Sequence, residues 1–246
     1  MPLDDLQGRA DALNSAYKHH SAHAVLERSL KDPDVGSLAL VSSFGAESVA
    51  LLHMVSIIDR NTPVLFLDTE MLFAETLTYQ MEVAERLHLT DVRILHPDRK
   101  AIYERDNEGL LHLHDPDGCC ALRKTAPLQE ALLPFSGWIT GRKQYQGGKR
   151  TTLPFFEADG PHLKVNPLAH WNVQDVQDYM TENRLPRHPL VAQGYPSIGC
   201  APCTTRVKPG EDPRAGRWRN TEKTECGIHF VNGKMVRIPA PEAKAG

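Results

Sequence analysis

Residues 37–47 read Ser-Leu-Ala-Leu-Val-Ser-Ser-Phe-Gly-Ala-Glu, and this stretch decides the fold. It begins with an apolar run of the length of a buried strand, and small polar residues and Gly45 follow directly. A helical pattern of apolar residues then runs from Glu47 to Asp59. The order strand, tight turn, helix is the unit from which parallel α/β sheets are built.

The same alternation continues along the chain. Further strands are predicted at 63–68, 92–95, 137–140 and 163–165, and further helices at 4–30, 75–89, 121–133 and 172–184. Strands that alternate with helices of this length predict an α/β fold, a parallel sheet with helices on both faces. After Pro186 the regular pattern fades, so we expect the carboxyl-terminal part to be irregular.

Length and composition fit a folded protein of three parts. The chain has 246 residues, of which 41% are hydrophobic and 24% are charged. We expect a helical segment at 1–30, an α/β domain at 31–190 and a last segment at 191–246. No stretch approaches the ~18 consecutive apolar residues of a membrane-spanning helix. Residues 1–5 lack the basic and apolar character of a secretory signal, so we expect a cytoplasmic protein.

Charge is distributed unevenly along the chain. The net charge is −3 at pH 7. The part that ends at Gly118 has ten basic and twenty acidic residues, and the rest has eighteen basic and eleven acidic residues. The near-neutral total argues against bulk binding of nucleic acid, whereas the basic second half suits a small anionic ligand.

Two candidate ligand contacts follow predicted strands. The loop at 42–48 supplies backbone N–H groups and small side chains at a helix amino terminus, which favour a phosphate or sulfate. It lacks the Gly-Lys-Ser/Thr ending of a Walker A loop. The second candidate is Asp68, followed by Thr69, at the end of the next strand. Helix capping is the alternative interpretation at both places.

Four of the five cysteines form two close pairs. Cys119 and Cys120 are adjacent, and Cys200 and Cys203 have two residues between them. Four thiolates suit an iron-sulfur cluster or a tetrahedral zinc ion. In zinc ribbons, paired ligands are separated by about two to four residues, so the adjacent pair favours a cluster over zinc or unligated thiols. The odd count argues against a disulfide framework.

The fifth cysteine, Cys226, lies among charged and small residues near the end of the chain. It is a candidate nucleophile if nearby cations lower the pKa of its thiol. Lys223 and His229 favour the thiolate, whereas Glu222 and Glu225 oppose it. An inert cysteine is the alternative interpretation.

Basic residues recur beside the cysteine pairs. They cluster at 123–124, 142–150 and 206–219. Arg214 and Arg217 form a candidate guanidinium clamp on an anion. Solvated surface charge is the alternative interpretation for any single arginine.

Together these residues resemble a known family. The motifs that carry the resemblance are Cys119-Cys-Ala-Leu-Arg-Lys-Thr-Ala-Pro-Leu128, Gly194-Tyr-Pro-Ser-Ile-Gly-Cys-Ala-Pro-Cys-Thr204, Asp212-Pro-Arg-Ala-Gly-Arg-Trp218 and Glu225-Cys-Gly-Ile-His229. They resemble assimilatory adenylyl-sulfate (APS) reductases of the bacterial iron-sulfur type. Residues 43–48 and 67–69 are similar to that family's modified PP-loop and its Leu-Asp-Thr motif. The resemblance implies a Rossmann-like adenine nucleotide alpha-hydrolase sheet, followed by an irregular carboxyl-terminal redox segment.

The resemblance also implies an activity, the thiol-dependent reduction of adenosine 5'-phosphosulfate to sulfite and AMP in sulfate assimilation. Thioredoxin or glutaredoxin would resolve an S-sulfocysteine formed on Cys226. The implied catalytic residues are Cys226, Lys124, Arg214, Arg217 and His229. The implied substrate-binding residues are Ser42, Ser43, Gly45, Ser48, Asp68, Thr69, Arg142 and Arg150. The implied ligands of a 4Fe-4S cluster are Cys119, Cys120, Cys200 and Cys203.

Two places in the sequence depart from the family pattern. Residues 141–150 differ from the family's Arg-Arg-Asp-Gln-Ser type of run, and Glu70 stands where Gly is common.

Three other functions are alternatives. They are a 3'-phosphoadenylyl-sulfate reductase, which usually lacks the two cysteine pairs, a PP-loop ATP pyrophosphatase in tRNA thiolation, and a cluster-bearing sensor. We further expect a homo-oligomer that binds neither nucleic acid nor membrane.

Overall fold

The fold is built around one six-stranded sheet. The computed structural model describes residues 3–147, 150–219, 223, 230–231 and 234–235. The strands of the sheet are β1 (Leu38–Ser42), β2 (Val64–Leu67), β3 (Val92–Leu95), β4 (Gly137–Ile139), β5 (Phe156–Asp159) and β6 (His162–Val165). They lie in the order β3-β2-β1-β4-β6-β5, and every neighbouring pair is parallel except β5 and β6. Strands β7 (Phe230–Val231) and β8 (Lys234–Met235) form a separate antiparallel pair.

Helices fill most of the connections between the strands. In the described part of the chain, the α-helices are α1 (Leu3–Tyr17), α2 (Ala22–Lys31), α3 (Ser48–Ile58), α4 (Ala74–Arg86), α5 (Arg99–Asp106), α6 (Leu111–His114), α7 (Pro116–Cys120), α8 (Ala126–Leu132) and α9 (Val173–Glu182). A π-helical turn at Ala121–Thr125 joins α7 to α8. The helix expected at 4–30 is two helices, because Ser21 caps α2 by accepting the Ala24 N–H. Within the described ranges, no helix has the length and apolar character that crossing a bilayer requires.

Alternating side chains give the sheet a core on each face. Leu40 and Phe66 pack in one core with residues of α2, α3 and α9. Ala39 and Leu65 pack in the other core with Leu128 of α8. Because successive strand residues point to opposite faces, one strand contributes to both cores and reads as a continuous apolar run. The predicted parallel sheet with helices on both faces is therefore confirmed.

The strand order reverses between β1 and β4. From β1 the chain moves to β2 and β3 on one side, and it then returns to β4 on the other side. At such a switch point the loops after the two central strands diverge and leave a crevice at the carboxyl edge of the sheet. The topology thus marks the loops after β1 and β4 as the borders of a ligand site.

Strand β5 is an element that the sequence pattern does not predict. It is an edge strand, antiparallel to β6, and Glu157 is opposite Lys164 in the register. Gly160, with φ of 60°, connects the two strands. Acidic residues are depleted in strands, so Glu157 and Asp159 make this short segment read as a loop. Its pairing with β6 decides its conformation.

The Gly137→Ala variant is expected to destabilise the sheet. A Cβ at this position would lie 2.1 Å from the carbonyl oxygen of Leu163 on β6, so the two strands would have to separate. We expect the free energy of unfolding to fall by about 3 kcal/mol, as for an overpacked core. Urea unfolding followed by circular dichroism measures the change.

Gly8→Ala is the matched control. Gly8 lies in α1, and a Cβ there would meet nothing within 4 Å. Because Ala favours a helix over Gly, this variant should be as stable as the parent or more stable by up to about 1 kcal/mol. A Gly137→Ala variant as stable as the parent would contradict the close pairing of β4 and β6.

Candidate active site

A cavity of about 490 Å³ opens at the carboxyl ends of the parallel strands. Residues at the ends of β1, β2 and β4 border it on one side, and segments 196–200 and 212–218 border it on the other. It brings together predicted site residues that are far apart in the sequence. Those that line it are Ser42, Ser43, Gly45, Ser48, Thr69, Lys124, Arg142, Arg150, Cys200, Arg214 and Arg217.

The loop after β1 is held in a defined conformation. Phe44 is buried with φ of 46°, and its ring meets that of Phe66 edge-on at 5.2 Å between centroids. The Phe44 N–H donates to Ser42 Oγ (3.2 Å), and the Gly45 N–H donates to Ser48 Oγ (3.0 Å). A left-handed residue other than glycine costs about 1–2 kcal/mol, which the buried ring contact offsets. The serines therefore shape this loop as well as line the cavity.

A buried ion pair that the sequence analysis does not predict joins the loops after β1 and β4. Lys143 Nζ lies 2.8 Å from Glu47 Oε2, and the Tyr145 hydroxyl donates to Glu47 Oε1 at 2.6 Å. The Lys143 side chain is 3% exposed. Burial lowers the pKa of Lys143, and Glu47 opposes this shift. The paired residues are 96 positions apart, so no local spacing signals the contact.

Arg142 and Arg150 also lie beyond the end of β4. Arg142 donates to the Glu157 carboxylate and, at 3.1 Å, to Asn166 Oδ1. Burial lowers the pKa of Arg142, and Glu157 opposes this shift. Arg150 donates to Gln146 Oε1. Both arginines line the cavity, and Arg142 does so with its guanidinium held by a carboxylate.

The turn after β2 contacts the second cysteine pair. Thr69 Oγ1 lies 3.2 Å from Cys200 Sγ. Asp68 does not line the cavity; its Oδ1 accepts the Glu70 N–H at 2.9 Å, and its Oδ2 lies 3.8 Å from His96 Nδ1. Glu70 has φ of 59°, in the left-handed region that favours glycine. Asp68 thus shapes the turn, and Thr69 faces the site.

Arg123 is the buried residue that holds this turn. Its Nε and Nη2 donate to Asp106 Oδ2 at 3.0 and 2.8 Å, and its Nη1 donates to the carbonyl oxygen of Thr69 at 2.9 Å. Burial raises the pKa of Asp106, but the Leu111 N–H and Arg123 outweigh it, and the net shift is downward. In the sequence, Arg123 stands out only as part of a basic cluster. Its contacts tie the turn after the first cysteine pair to the end of β2.

The four cysteines of the two pairs come from two segments that are far apart in the sequence. Cys119 and Cys120 end α7, and Cys200 and Cys203 flank a short 3₁₀ turn. Burial raises the pKa of Cys119 to about 11; Arg123 opposes the rise, and the thiols of Cys200 and Cys203 add to it. Among the described residues, no three His, Cys, Asp or Glu side chains already form a metal-binding group. The donor set itself, four buried or half-buried thiols, suits a cluster or zinc.

Three cations predicted to be catalytic line the cavity near the second cysteine pair. Lys124 comes from the π-helical turn, and Arg214 and Arg217 come from the loop that closes the cavity. Arg217 Nη1 donates to a backbone carbonyl of the facing segment at 3.0 Å, and its guanidinium lies 4.5 Å from the centroid of the Trp218 ring. A Cβ on Gly199 would lie 2.2 Å from Arg217 Nη2. Glycine at that position therefore lets the guanidinium approach the backbone.

Lys223, three residues before Cys226 in the sequence, binds to α7. Its Nζ donates to a backbone carbonyl of α7 at 3.0 Å and to Asp117 Oδ1 at 2.6 Å. Burial lowers the pKa of Lys223, but Cys120 and Asp117 outweigh it, and the net shift is upward. Two predicted catalytic residues, Cys226 and His229, lie outside the described residues.

The switch-point crevice, the loop after β1, the cations and Cys200 together define a class, an α/β protein with a nucleotide-type ligand site at the carboxyl edge of its sheet. Residues 37–206 match the sequence model of the phosphoadenosine phosphosulfate reductase domain. The chain belongs to the phosphoadenosine phosphosulfate reductase family. The predicted family is thereby confirmed.

Individual proteins of this family are similar over most of their length. The adenosine 5'-phosphosulfate reductase of Chelativorans sp. (strain BNC1) is 47% identical over 230 residues, which are 93% of this chain and 94% of the relative. The enzyme of the same name from Mesorhizobium japonicum is 46% identical over 227 residues, which are 92% and 89% of the two chains. The crystal structure of phosphoadenylyl-sulfate reductase from Candida auris, a phosphate complex, is 26% identical with a TM-score of 0.68 and covers 80% of this chain and 96% of that chain.

Arg123→Met is expected to cause a large loss of stability. The variant leaves the Asp106 carboxylate buried without its charged partner and removes the bond to the Thr69 carbonyl. Breaking one side of a buried pair costs about 3–5 kcal/mol. Urea unfolding at neutral pH measures the change in the free energy of unfolding.

Arg93→Met provides the comparison. It breaks the pair with Asp91, in which the Arg93 and Asp91 side chains are 47% and 33% exposed. An exposed pair contributes about 0–1 kcal/mol, so this variant should lose little. An equally small loss in both variants would show that Arg123 does not hold the turn after β2.

Proposed function

We propose that this protein reduces adenosine 5'-phosphosulfate to sulfite and AMP in sulfate assimilation, as an oxidoreductase acting on a sulfur group. The observation that carries the proposal is that Lys124, Arg214 and Arg217 line one cavity together with Cys200. The substrate is an anionic mixed anhydride of phosphate and sulfate, and fixed cations bind such a group. Two relatives named adenosine 5'-phosphosulfate reductase support the substrate.

The proposed reaction has two transfers. Cys226, as a thiolate, attacks the substrate sulfur, the bond from sulfur to the bridging oxygen breaks, and AMP leaves with the electron pair. An S-sulfocysteine remains on Cys226. One thiolate of a partner dithiol then attacks the Cys226 sulfur and sulfite leaves with the electron pair of the S–S bond; the second thiol of the partner displaces Cys226. The dithiol supplies both electrons and becomes a disulfide.

The cations act on the leaving group in this proposal. Negative charge grows on the AMP phosphate as its bond to sulfur breaks, and cations that are in place beforehand lower the barrier. Lys124, Arg214 and Arg217 have this role, and His229 assists Cys226. The proposed substrate contacts are Ser42, Ser43, Gly45, Ser48, Thr69, Arg142 and Arg150, which all line the cavity. Asp68, which the resemblance also implies, holds the turn that carries Thr69.

Lys223 precedes Cys226 by three residues in the sequence. The Lys223 ammonium group is bound to α7, whose last residues are Cys119 and Cys120. In the proposed reaction this cation accompanies the nucleophile and favours its thiolate form.

We further propose that Cys119, Cys120, Cys200 and Cys203 bind a 4Fe-4S cluster. Adjacent thiolates can bind different irons of a cluster, and all four donors are thiols, which clusters prefer. When bound, the cluster supplies a structural and electrostatic anchor, because the partner dithiol already accounts for both electrons. Lys124, four residues after Cys120, is positioned by the same turn.

We also propose that the reductant is thioredoxin or glutaredoxin and that the protein is a cytoplasmic homo-oligomer. Residues 31–190 bind the nucleotide, and residues 191–246 supply the second cysteine pair and the nucleophile. Residues 1–30 are the N-terminal helical segment, whose helices α1 and α2 pack into the core on one face of the sheet.

Cys226→Ser is expected to reduce sulfite release by about a thousandfold or more, because it removes the nucleophile. AMP binding, measured by calorimetry, should be unchanged. Intact mass spectrometry after mixing with adenosine 5'-phosphosulfate, without any thiol, should show one added SO3 on Cys226 of the parent and none on the variant. Undiminished turnover by the variant would rule out the proposed mechanism.

Cys203→Ser is expected to lose most bound iron and sulfide, and activity with them. Cys203 is the least buried of the four cysteines, so its replacement disturbs packing least. Iron, sulfide and zinc are quantified on protein purified without oxygen. Thr205→Ala, an exposed change two residues away, should keep its metal. Full iron retention in Cys203→Ser, or zinc in the parent, would refute the cluster.

A further inference from the structure

Two cations that line the cavity are already balanced by carboxylates. They are Arg142, after β4, and Lys164, on β6. The Lys164 side chain is 2% exposed, and its Nζ lies 4.3 Å from the centroid of the Trp138 ring. Trp138 and Lys164 are opposite each other in the register of β4 and β6, and both line the cavity. These residues form a continuous wall of the cavity.

The balancing carboxylates come from β5. Arg142 donates to Glu157, and Asn166 Nδ2 donates to the same carboxylate oxygen at 2.8 Å. Asp159 Oδ2 lies 2.5 Å from Lys164 Nζ. Glu157 and Asp159 are two residues apart on a strand and therefore face the same side of the sheet. Neither of these two described residues lines the cavity. The carboxylates therefore neutralise Arg142 and Lys164 without being part of the cavity lining.

This wall lies far from the cysteines. Thr69, which contacts Cys200, follows β2, whereas Lys164 lies on β6. Strands β1 and β4 lie between them, so three strand spacings, about 14 Å, separate the two places. The cavity therefore has room for the nucleoside of such a substrate beside β4 and β6 when the sulfur lies near Cys200.

Trp138 offers a hydrogen bond on this wall. Its indole Nε1 is buried and has no hydrogen-bond partner among the described residues. Buried indole N–H groups find an acceptor in most structures, and an oxygen of a ligand in the cavity can serve. The wall thus offers a neutral donor beside two cations whose charge is cancelled.

We propose that Glu157 and Asp159 determine a preference for a nucleotide with a free 3'-hydroxyl over one with a 3'-phosphate. This inference rests on the proposed function. A 3'-phosphate gains little attraction from cations that are already paired, and the carboxylates repel it at short range. A hydroxyl carries no charge, so the carboxylates do not oppose it.

The test compares AMP with adenosine 3',5'-bisphosphate by isothermal titration calorimetry on the full chain. Glu157→Gln keeps an acceptor for Arg142 and Asn166 but removes the negative charge. We expect its affinity for the bisphosphate to rise about tenfold and its affinity for AMP to change less than about twofold. Asp159→Asn should shift the same ratio in the same direction, and it decides the question if Glu157→Gln does not fold.

Asp91→Asn is the control for overall charge. It makes the same change in net charge at an exposed arginine pair beside β3, at the other edge of the sheet. Both affinities should equal those of the parent. An equal rise in Asp91→Asn, or an unchanged ratio in both Glu157→Gln and Asp159→Asn, would overturn the inference while AMP binding leaves the proposed function standing. If the parent binds neither nucleotide, the proposed function fails and the inference fails with it.

Discussion

The buried guanidinium of Arg123 joins the turn after the first cysteine pair to the turn that contacts Cys200. It donates to Asp106 at the end of α5 and to the carbonyl of Thr69 after β2, and Thr69 in turn contacts Cys200. A buried charge costs several kcal/mol unless it is paired and hydrogen-bonded. Asp106 also accepts the Leu111 N–H, so the pair is satisfied on both sides. Three segments that are distant in sequence are therefore joined by one group whose removal leaves a buried carboxylate unpaired.

The contacts of Arg123 lie next to the cavity that the switch point of the sheet creates. The loops after β1 and β4 diverge there, and Glu47 joins them again through Lys143 and Tyr145. This ion pair borders the cavity on one side, and segments 196–200 and 212–218 border it on the other. The Lys143 and Arg123 side chains are 3% and 5% exposed. Contacts of this kind favour a preformed cavity, in which cations are in place before a substrate arrives.

The sequence predicts the parts of this arrangement that depend on local pattern. Five of the six strands coincide with segments predicted from the sequence pattern, and the loop at 42–48 and the cysteine pairs are recognisable as motifs. Strand β5 is not, because Glu157 and Asp159 are unfavourable in strands and only pairing with β6 makes the segment extended. The sequence does not predict the ion pair of Glu47 with Lys143 either, because the two residues are 96 positions apart and each has the pattern of a surface charge. Asp68 shows the converse, a residue marked by its motif that shapes a turn outside the cavity lining.

The number of basic residues in the second half of the chain does not by itself show where an anion binds. The excess of basic residues after Gly118 predicts an anionic ligand without saying where it binds. In the folded chain Lys143, Arg142 and Lys164 each line the cavity, yet each has a carboxylate partner. The number of cations around the cavity therefore overstates the positive field that a ligand meets. Burial strengthens each of these pairs, because solvent does not screen them. The position of an anion in the cavity is decided by which cations the protein has already neutralised, and that information exists only in the tertiary structure.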